Sequence, residues 1–568
     1  MSTTIEVRYD CRENGVLSGV LSGESLDHSA GHEDGAEASG VLELLSCADD
    51  LAGSEDSGGE DSGLLELLES SMDYRALILH RLDVFELTKL RSVNRALRGW
   101  ATTARSSSTV DLGEGIVLQW LRHSPTEPAP PLAKMLPWCS GAGRVDLAAF
   151  GKGAVSGGML ADVARHCPLL RQLEAPGGDV CDEAVLSLGS GSCPLLQRVV
   201  LSENPIGDAA IQALANCQHL TELEAEATGM TDAGAIVLLG ANPNLEKLNA
   251  AYCHRFSDAG ARRVAERGGA LRELNLTCTG VTSAGVRAVC ASCPLAVLRV
   301  DQCEIEDDAL QLAATSGRLS VLTVGQCTAV TDNLLHVLGE HSPQLRRLDL
   351  WGLPLITDDG LAEIARGCPS LRHLDASRCA AITDAGLCAI AAGCASLEHL
   401  AFASCRAGTE TLLAVGQRCQ QLRHLNANYS RPTSPRGRAP GGGRVSDEGL
   451  GAVAAGCPEL RHVEVCSSGI GDTALLSLAR SCPRLNHVDF SACPRVSDTG
   501  VVQLAQSCPE LKDVYLGGCA VTDSSVAALQ QGCPKLHYLF ISCTNTSAAA
   551  AESPTARTGG TEPLHIHR

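Results

Sequence analysis

From about position 167 the chain restarts one phrase, mostly every 24 to 26 residues: Cys-Pro-x-Leu-x-x-Leu, a short strand-like run, a second Cys, then Thr-Asp and an apolar stretch of helical spacing. Close copies open at Cys167, Cys193, Cys368, Cys457, Cys482, Cys508 and Cys533. Looser ones open at Cys217, Asn242, Gly268, Cys293, Gly317, Ser342, Cys394 and Cys419. A unit this short has one apolar face and no core of its own, so it can cover that face only against the next copy. The fifteen copies therefore predict one stacked solenoid, where 568 residues would otherwise suggest several domains. Any function has to be read from a repeated surface.

The copy at Cys368 shows how the phrase folds. Leu374 and Ala376 alternate with His373 and Asp375, so the first pair faces a core and the second an open sheet face. Cys379 follows in the turn. Thr383 offers an N-cap oxygen and Asp384 a negative charge to the next helix, together worth ~1 kcal/mol. Ile382, Leu387, Ile390 and Ala391 face the core, and Cys394 closes the helix. In the close copies Pro follows the closing Cys, where it cannot extend a helix. Strands stacked in parallel on an inner arc, with wider helices outside, give an α/β horseshoe solenoid with a concave parallel sheet.

The 27 cysteines read as small buried hydrophobes of the repeat rather than as a disulfide framework. No apolar signal segment follows Met1, and the apolar runs are too short to span a membrane. A cytoplasmic or nuclear location is the expectation. The net charge of -21 is concentrated in residues 1–70, which hold 17 acidic side chains and two basic ones (Arg8, Arg12). That segment carries -15 and leaves -6 for the rest, so the repeats offer no basic track for nucleic acid.

Flanking the solenoid at 144–545, residues 1–70 are too polar to order themselves. Residues 71–104 have helical texture, 105–143 form a Pro-containing linker, and 546–568 again read as a disordered tail. Residues 144–166 read as a degenerate first repeat that caps the stack. One repeat carries an insert at 431–444, after the strand Leu425–Ala427.

The extended pattern, Cys-Pro-x-Leu-x-x-Leu-x-Leu-x-x-Cys-x-x-Val/Ile-Thr-Asp-x-Gly-Leu, resembles the cysteine-containing leucine-rich repeats over about residues 144–545. Many such proteins carry an N-terminal F-box. Here Leu82-Asp-Val-Phe-Glu-Leu87-Thr-Lys-Leu90-Arg-Ser-Val93-Asn-Arg95 resembles the F-box run in which Leu-Asp-x-x-Asp-Leu leads to Leu-x-x-Val-Ser-Arg. Two departures stand out. The Leu-Pro that usually opens the motif would fall near Ser70 and Ser71 and is missing, and the usual Trp aligns with Leu97 while Trp100 stands three residues on. The resemblance implies the substrate-recognition subunit of an SCF-type cullin ubiquitin ligase. Leu82, Leu87, Leu90, Val93, Leu97 and Trp100 would dock the Skp adaptor, and the concave face would hold a target protein. Catalysis would belong to the partners, this chain contributing proximity and orientation. If residues 71–104 are instead a helical cap, the chain is a leucine-rich-repeat scaffold without a ligase link.

The variable positions of the repeat carry the candidate binding residues. Just before the core Leu or Val stand His373, His399, His424, His462 and His487, and just after it Asp375, Ala401, Asn426, Glu464 and Asp489. Parallel strands ~4.8 Å apart would align these as an imidazole ladder beside a partly acidic one. Read functionally, this is a partner-binding strip that titrates near neutrality; read plainly, Leu-Arg-His-Leu is a permissive surface variant of the repeat. His462, Glu464 and Cys466 alternate onto one strand face as the best metal-type grouping, but zinc sites show tighter spacing and no metal or cofactor is expected. Cys290 and Cys293 have redox-motif spacing without a thioredoxin-like context. In the insert, Arg431, Arg436 and Arg438 with Ser434 before a Pro suit gripping an acidic or phosphorylated partner, or a loop with no role. No phosphate-binding loop, nucleophile elbow or His-Glu-x-x-His helix occurs, so no enzymatic activity is expected.

Overall fold

The computed structural model describes residues 143–148, 153, 155–429, 445–547 and 565–567. The F-box-like run and the Arg-rich insert, with Ser434, lie outside the described residues. Within them, three-residue strands alternate with helices. The first nine are β1 Arg144–Asp146, β2 Gln172–Glu174, β3 Arg198–Val200, β4 Glu222–Glu224, β5 Lys247–Asn249, β6 Glu273–Asn275, β7 Val297–Arg299, β8 Val321–Thr323 and β9 Arg347–Asp349. They continue as β10 His373–Asp375, β11 His399–Ala401, β12 His424–Asn426, β13 His462–Glu464, β14 His487–Asp489, β15 Asp513–Tyr515, β16 Tyr538–Phe540 and β17 His565–His567. All pair in parallel and in chain order, making one 17-stranded sheet. In every pairing the middle residue faces the middle residue of the next strand, as Leu374 faces Leu400. The last strand lies in a tail whose composition does not announce it.

The core is the one the repeat implies. Leu371, Leu374, Ala376, Ile382, Leu387, Ile390 and Ala391 are fully buried. Successive helices need 8–10 Å of separation and strands about 4.8 Å, so the sheet takes the inner arc. Thr383 caps its helix as expected, its Oγ1 accepting from Ala385 N at 3.2 Å.

Three devices join neighbouring repeats, and the first enlarges the expected role of the Thr-Asp pair. Asp358 accepts from the N–H of Thr383 at 2.8 Å and from its hydroxyl at 2.6 Å, one repeat on. The same two bonds tie Asp332 to Thr357, Asp472 to Ser497 and Asp498 to Thr522. Each Asp is thus a staple between helix N-termini as well as a charge at its own. The glycine two positions after Asp384 follows from this. A Cβ at Gly386 would lie 2.6 Å from Asp358 Oδ1. Where the glycine is replaced by Thr411, the new hydroxyl donates to Asp384 at 2.6 Å instead.

The cysteines form the second device. Where a Cys closes a helix it commonly donates its S–H to a carbonyl of the preceding repeat, as Cys394 does to Cys368 O at 3.5 Å and Cys508 to Cys482 O at 3.5 Å. The Cys after the strand does likewise, Cys405 to Ala376 O at 3.0 Å and Cys519 to Phe490 O at 3.1 Å. Burial pushes these four thiols up to about 12. No disulfide joins any of the 24 cysteines among the described residues.

The third device is the turn after the strand. Arg378 has φ 59° and Ser404 φ 60°, left-handed conformations that cost a non-glycine residue about 1–2 kcal/mol. A hydrogen bond to the next repeat holds each one, Arg378 N donating to Ala403 O at 2.7 Å and Ser404 N to Asn428 O at 2.8 Å.

Candidate protein-binding face

The sheet face away from the helices presents two side chains per strand, flanking the buried middle residue. Over β2 to β6 these neutralise one another. Arg198 bonds Glu222 at 2.7 Å and Glu224 at 2.9 Å, and Lys247 lies 3.2 Å from Glu273. Sequence reasoning did not pick out this network, although its members occupy the same two positions as the histidines.

From β10 to β14 the five histidines stand in register, as expected. Their rings stack at 3.8 to 3.9 Å between centroids, with interplanar angles of 5° to 20°. This is closer than the strand spacing, so the rings lean together and shield one another. All five are only partly exposed. For His373, His399 and His424 the expectation of titration near neutrality fails for this reason. Burial pulls His373 down to about 3 and His399 to about 2, with neighbouring cationic groups adding to the effect. Burial and His462 hold His424 at about 4. His487 is lowered by burial, which outweighs the pull of Glu464 and Asp513. His373, His399 and His424 are therefore neutral at pH 7, and the buried Nδ1 of His399 has no hydrogen-bond partner.

The adjacent ladder reads Asp349, Asp375, Ala401, Asn426, Glu464 and Asp489 in register. Burial and the nearby Asp375 carboxylate raise Asp349 to about 7. Asp375 is raised by burial, against two hydrogen-bonding contributions from Ser377. Glu464 behaves oppositely. Burial opposes its charge, but the hydrogen bond and charge of His462 hold it below the usual carboxylate range. Its Oε1 lies 2.5 Å from His462 Nε2. Cys466, grouped with these two by strand alternation, is not a member of the cluster they form: it is buried, with its sulfur 3.6 Å from Ser467 Oγ. The group that gathers here is His424, His462 and Glu464.

The face also extends further than the sequence reading carried it. His487 lies 5.3 Å from Tyr515, Tyr515 6.2 Å from Phe540 and Phe540 5.4 Å from His567, ring to ring. The stack thus passes from imidazoles into an aromatic run. The signal was present, since Tyr515, Tyr538 and Phe540 fill the same flanking positions. Cys290 and Cys293, by contrast, are buried free thiols pushed up to about 12 and about 11 by burial, which leaves them unreactive. No helix of the described residues is long and apolar enough to cross a membrane.

Comparison with known proteins agrees with the repeat. A family model described as Leucine Rich repeat matches residues 192–215, 271–290 and 367–391. Solved structures similar to the chain include the Listeria monocytogenes internalin inlF, at 18% identity and TM-score 0.40, covering 66% of this chain and 95% of that one. The yeast Rad7 and Elc1 complex matches at 14% identity and TM-score 0.41, covering 95% of this chain and 98% of that chain. Mouse RP105, solved with MD-1, matches at 14% identity and TM-score 0.39, covering 73% of each. No catalytic family is among these matches. With its repeated strand–turn–helix unit, its stapled helices and its ladders of buried thiols, the chain is a leucine-rich-repeat solenoid with many buried cysteines, similar in its repeat to the cysteine-containing type.

Proposed function

We propose that this chain is the substrate-recognition subunit of an SCF-type cullin ubiquitin ligase, holding a target protein on its concave sheet face. The observation that carries the recognition half is that face: a long parallel sheet whose buried middle residues are uniform while its flanking pairs change from repeat to repeat. Identity of the target is written in those pairs, with His373 to His487 and Asp375 to Asp489 as the strip that touches it. The ligase half rests on the run from Leu82 to Arg95 in the sequence. The absence of the opening Leu-Pro favours a second reading, a scaffold that binds proteins with no ligase link.

The full chain, immobilised, should retain purified Skp adaptor, and Val93→Asp should abolish retention while leaving thermal unfolding of the repeats unchanged. If the unmodified chain retains no adaptor, the ligase half is abandoned and the scaffold reading stands.

A further inference from the structure

The two ladders of the concave face meet at one point with a distinct chemistry. His424 on β12, and His462 and Glu464 on β13, bring one ligand atom each to within 4.8 Å of one another. The carboxylate is held in place from behind: Glu464 Oε2 accepts from Asn426 Nδ2 and from Asn428 Nδ2, both at 2.7 Å. That leaves Oε1 turned toward the imidazoles, 2.5 Å from His462 Nε2 and 3.9 Å from His487 Nε2. The other ring nitrogen of His487 lies 3.6 Å from the Asp513 carboxylate. No lysine or arginine pairs with Glu464 among the described residues, so imidazoles are the basic side chains that face it.

We propose that His424, His462 and Glu464 form a binding site for a divalent transition-metal ion, zinc in the first place, on the concave face of the sheet. Two imidazole nitrogens and one carboxylate oxygen are a donor set that suits zinc. Ligating carboxylates and imidazoles are commonly fixed by outer hydrogen bonds, which is the part played here by Asn426, Asn428 and, one strand on, Asp513. Three side-chain ligands leave a coordination position for water, on the groove side. The geometry also sets a cost. The rings of His424 and His462 stack at 3.9 Å and 19°, so their lone pairs lie in nearly parallel planes and must converge to share an ion. The terminal torsion of histidine is broad, so the rings can do this by turning out of the stack, roughly 50° each for a tetrahedral ion. The repeat thiols do not compete, since burial keeps them protonated. The exposed Cys181 and Cys543 are outside the cluster.

The test is a zinc titration of the chelator-stripped full chain against a chromophoric competitor. The proposal expects one ion per chain. Glu464→Gln and His424→Ala should each weaken binding by at least about tenfold, and Asn426→Ala by roughly tenfold, as loss of an outer hydrogen bond does elsewhere. His373→Ala, in the same ladder but outside the site, should bind as the unmodified chain does. Cobalt in place of zinc should give visible bands with no thiolate charge-transfer band. Thermal unfolding of each metal-free variant shows that loss of binding is not loss of fold, Glu464→Gln being nearly isosteric. Failure of the unmodified chain to hold zinc, equal binding by all variants, or a thiolate band would each overturn the site.

Discussion

Asp358 and Asp359 stand side by side at one helix N-terminus, and the first alone is hydrogen-bonded to the next repeat. Were their role only to place negative charge at the helix dipole, the two would be worth about the same. The staple predicts otherwise. Asp358→Ala leaves the Thr383 N–H without its acceptor and should cost about 1–3 kcal/mol. Asp359→Ala, at an exposed position, should stay within about 0.5 kcal/mol. Equal losses on thermal unfolding would remove the staple. The Thr383 cap was legible because its partner, Ala385 N, is two residues away. The partner of Asp358 lies 25 residues on, and no local propensity refers to it. Gly386 was visible as a repeated letter, but its reason, the approach of Asp358 Oδ1, belongs to the stack.

At the scale of the strand, neighbours in the sheet override the ordinary chemistry of a side chain. The registers of the histidine and acidic ladders were readable, because the repeat aligns equivalent positions of successive strands. Their protonation was not, because burial by adjoining rings and carboxylates has no local signature. Asp349 offers the cleanest check. An unfolded Asp titrates near ~3.9 and folded Asp349 at about 7, so between these values the folded chain holds a proton that the unfolded chain has released. Raising the pH through that window therefore removes stability, and the loss is complete above about pH 7. Asp349→Asn cannot titrate and should exceed the unmodified chain by at least about 1 kcal/mol at pH 8, with the gap closing toward pH 4. A gap independent of pH, in unfolding followed at both values, would show that Asp349 is ionised throughout. Trp351 N, which donates to Asp349 Oδ1 at 3.2 Å, keeps an acceptor in the variant.

Among the described residues, each repeat contacts its neighbours and little else, so stability is carried by interfaces in series. Removing the fully buried Leu374 side chain should cost about 2–5 kcal/mol, and the damage should be local. Hydrogen exchange of Leu374→Ala is expected to rise in the repeats of β9 to β11 while β1 to β3 keep their protection. A uniform rise along the chain would mean that the solenoid unfolds as one unit. The sequence alone determined the unit, its strand and helix, its core letters and the stacking, since an apolar face repeated in register has only one place to be buried. Only the tertiary structure decided which side chains meet across repeats: the Asp staples, the thiol ladders, the stacked imidazoles, and the replacement of Cys466 by His424 beside His462 and Glu464. These depend on distances between residues some 25 to 38 positions apart, which the sheet and helix stack fix and no local pattern encodes.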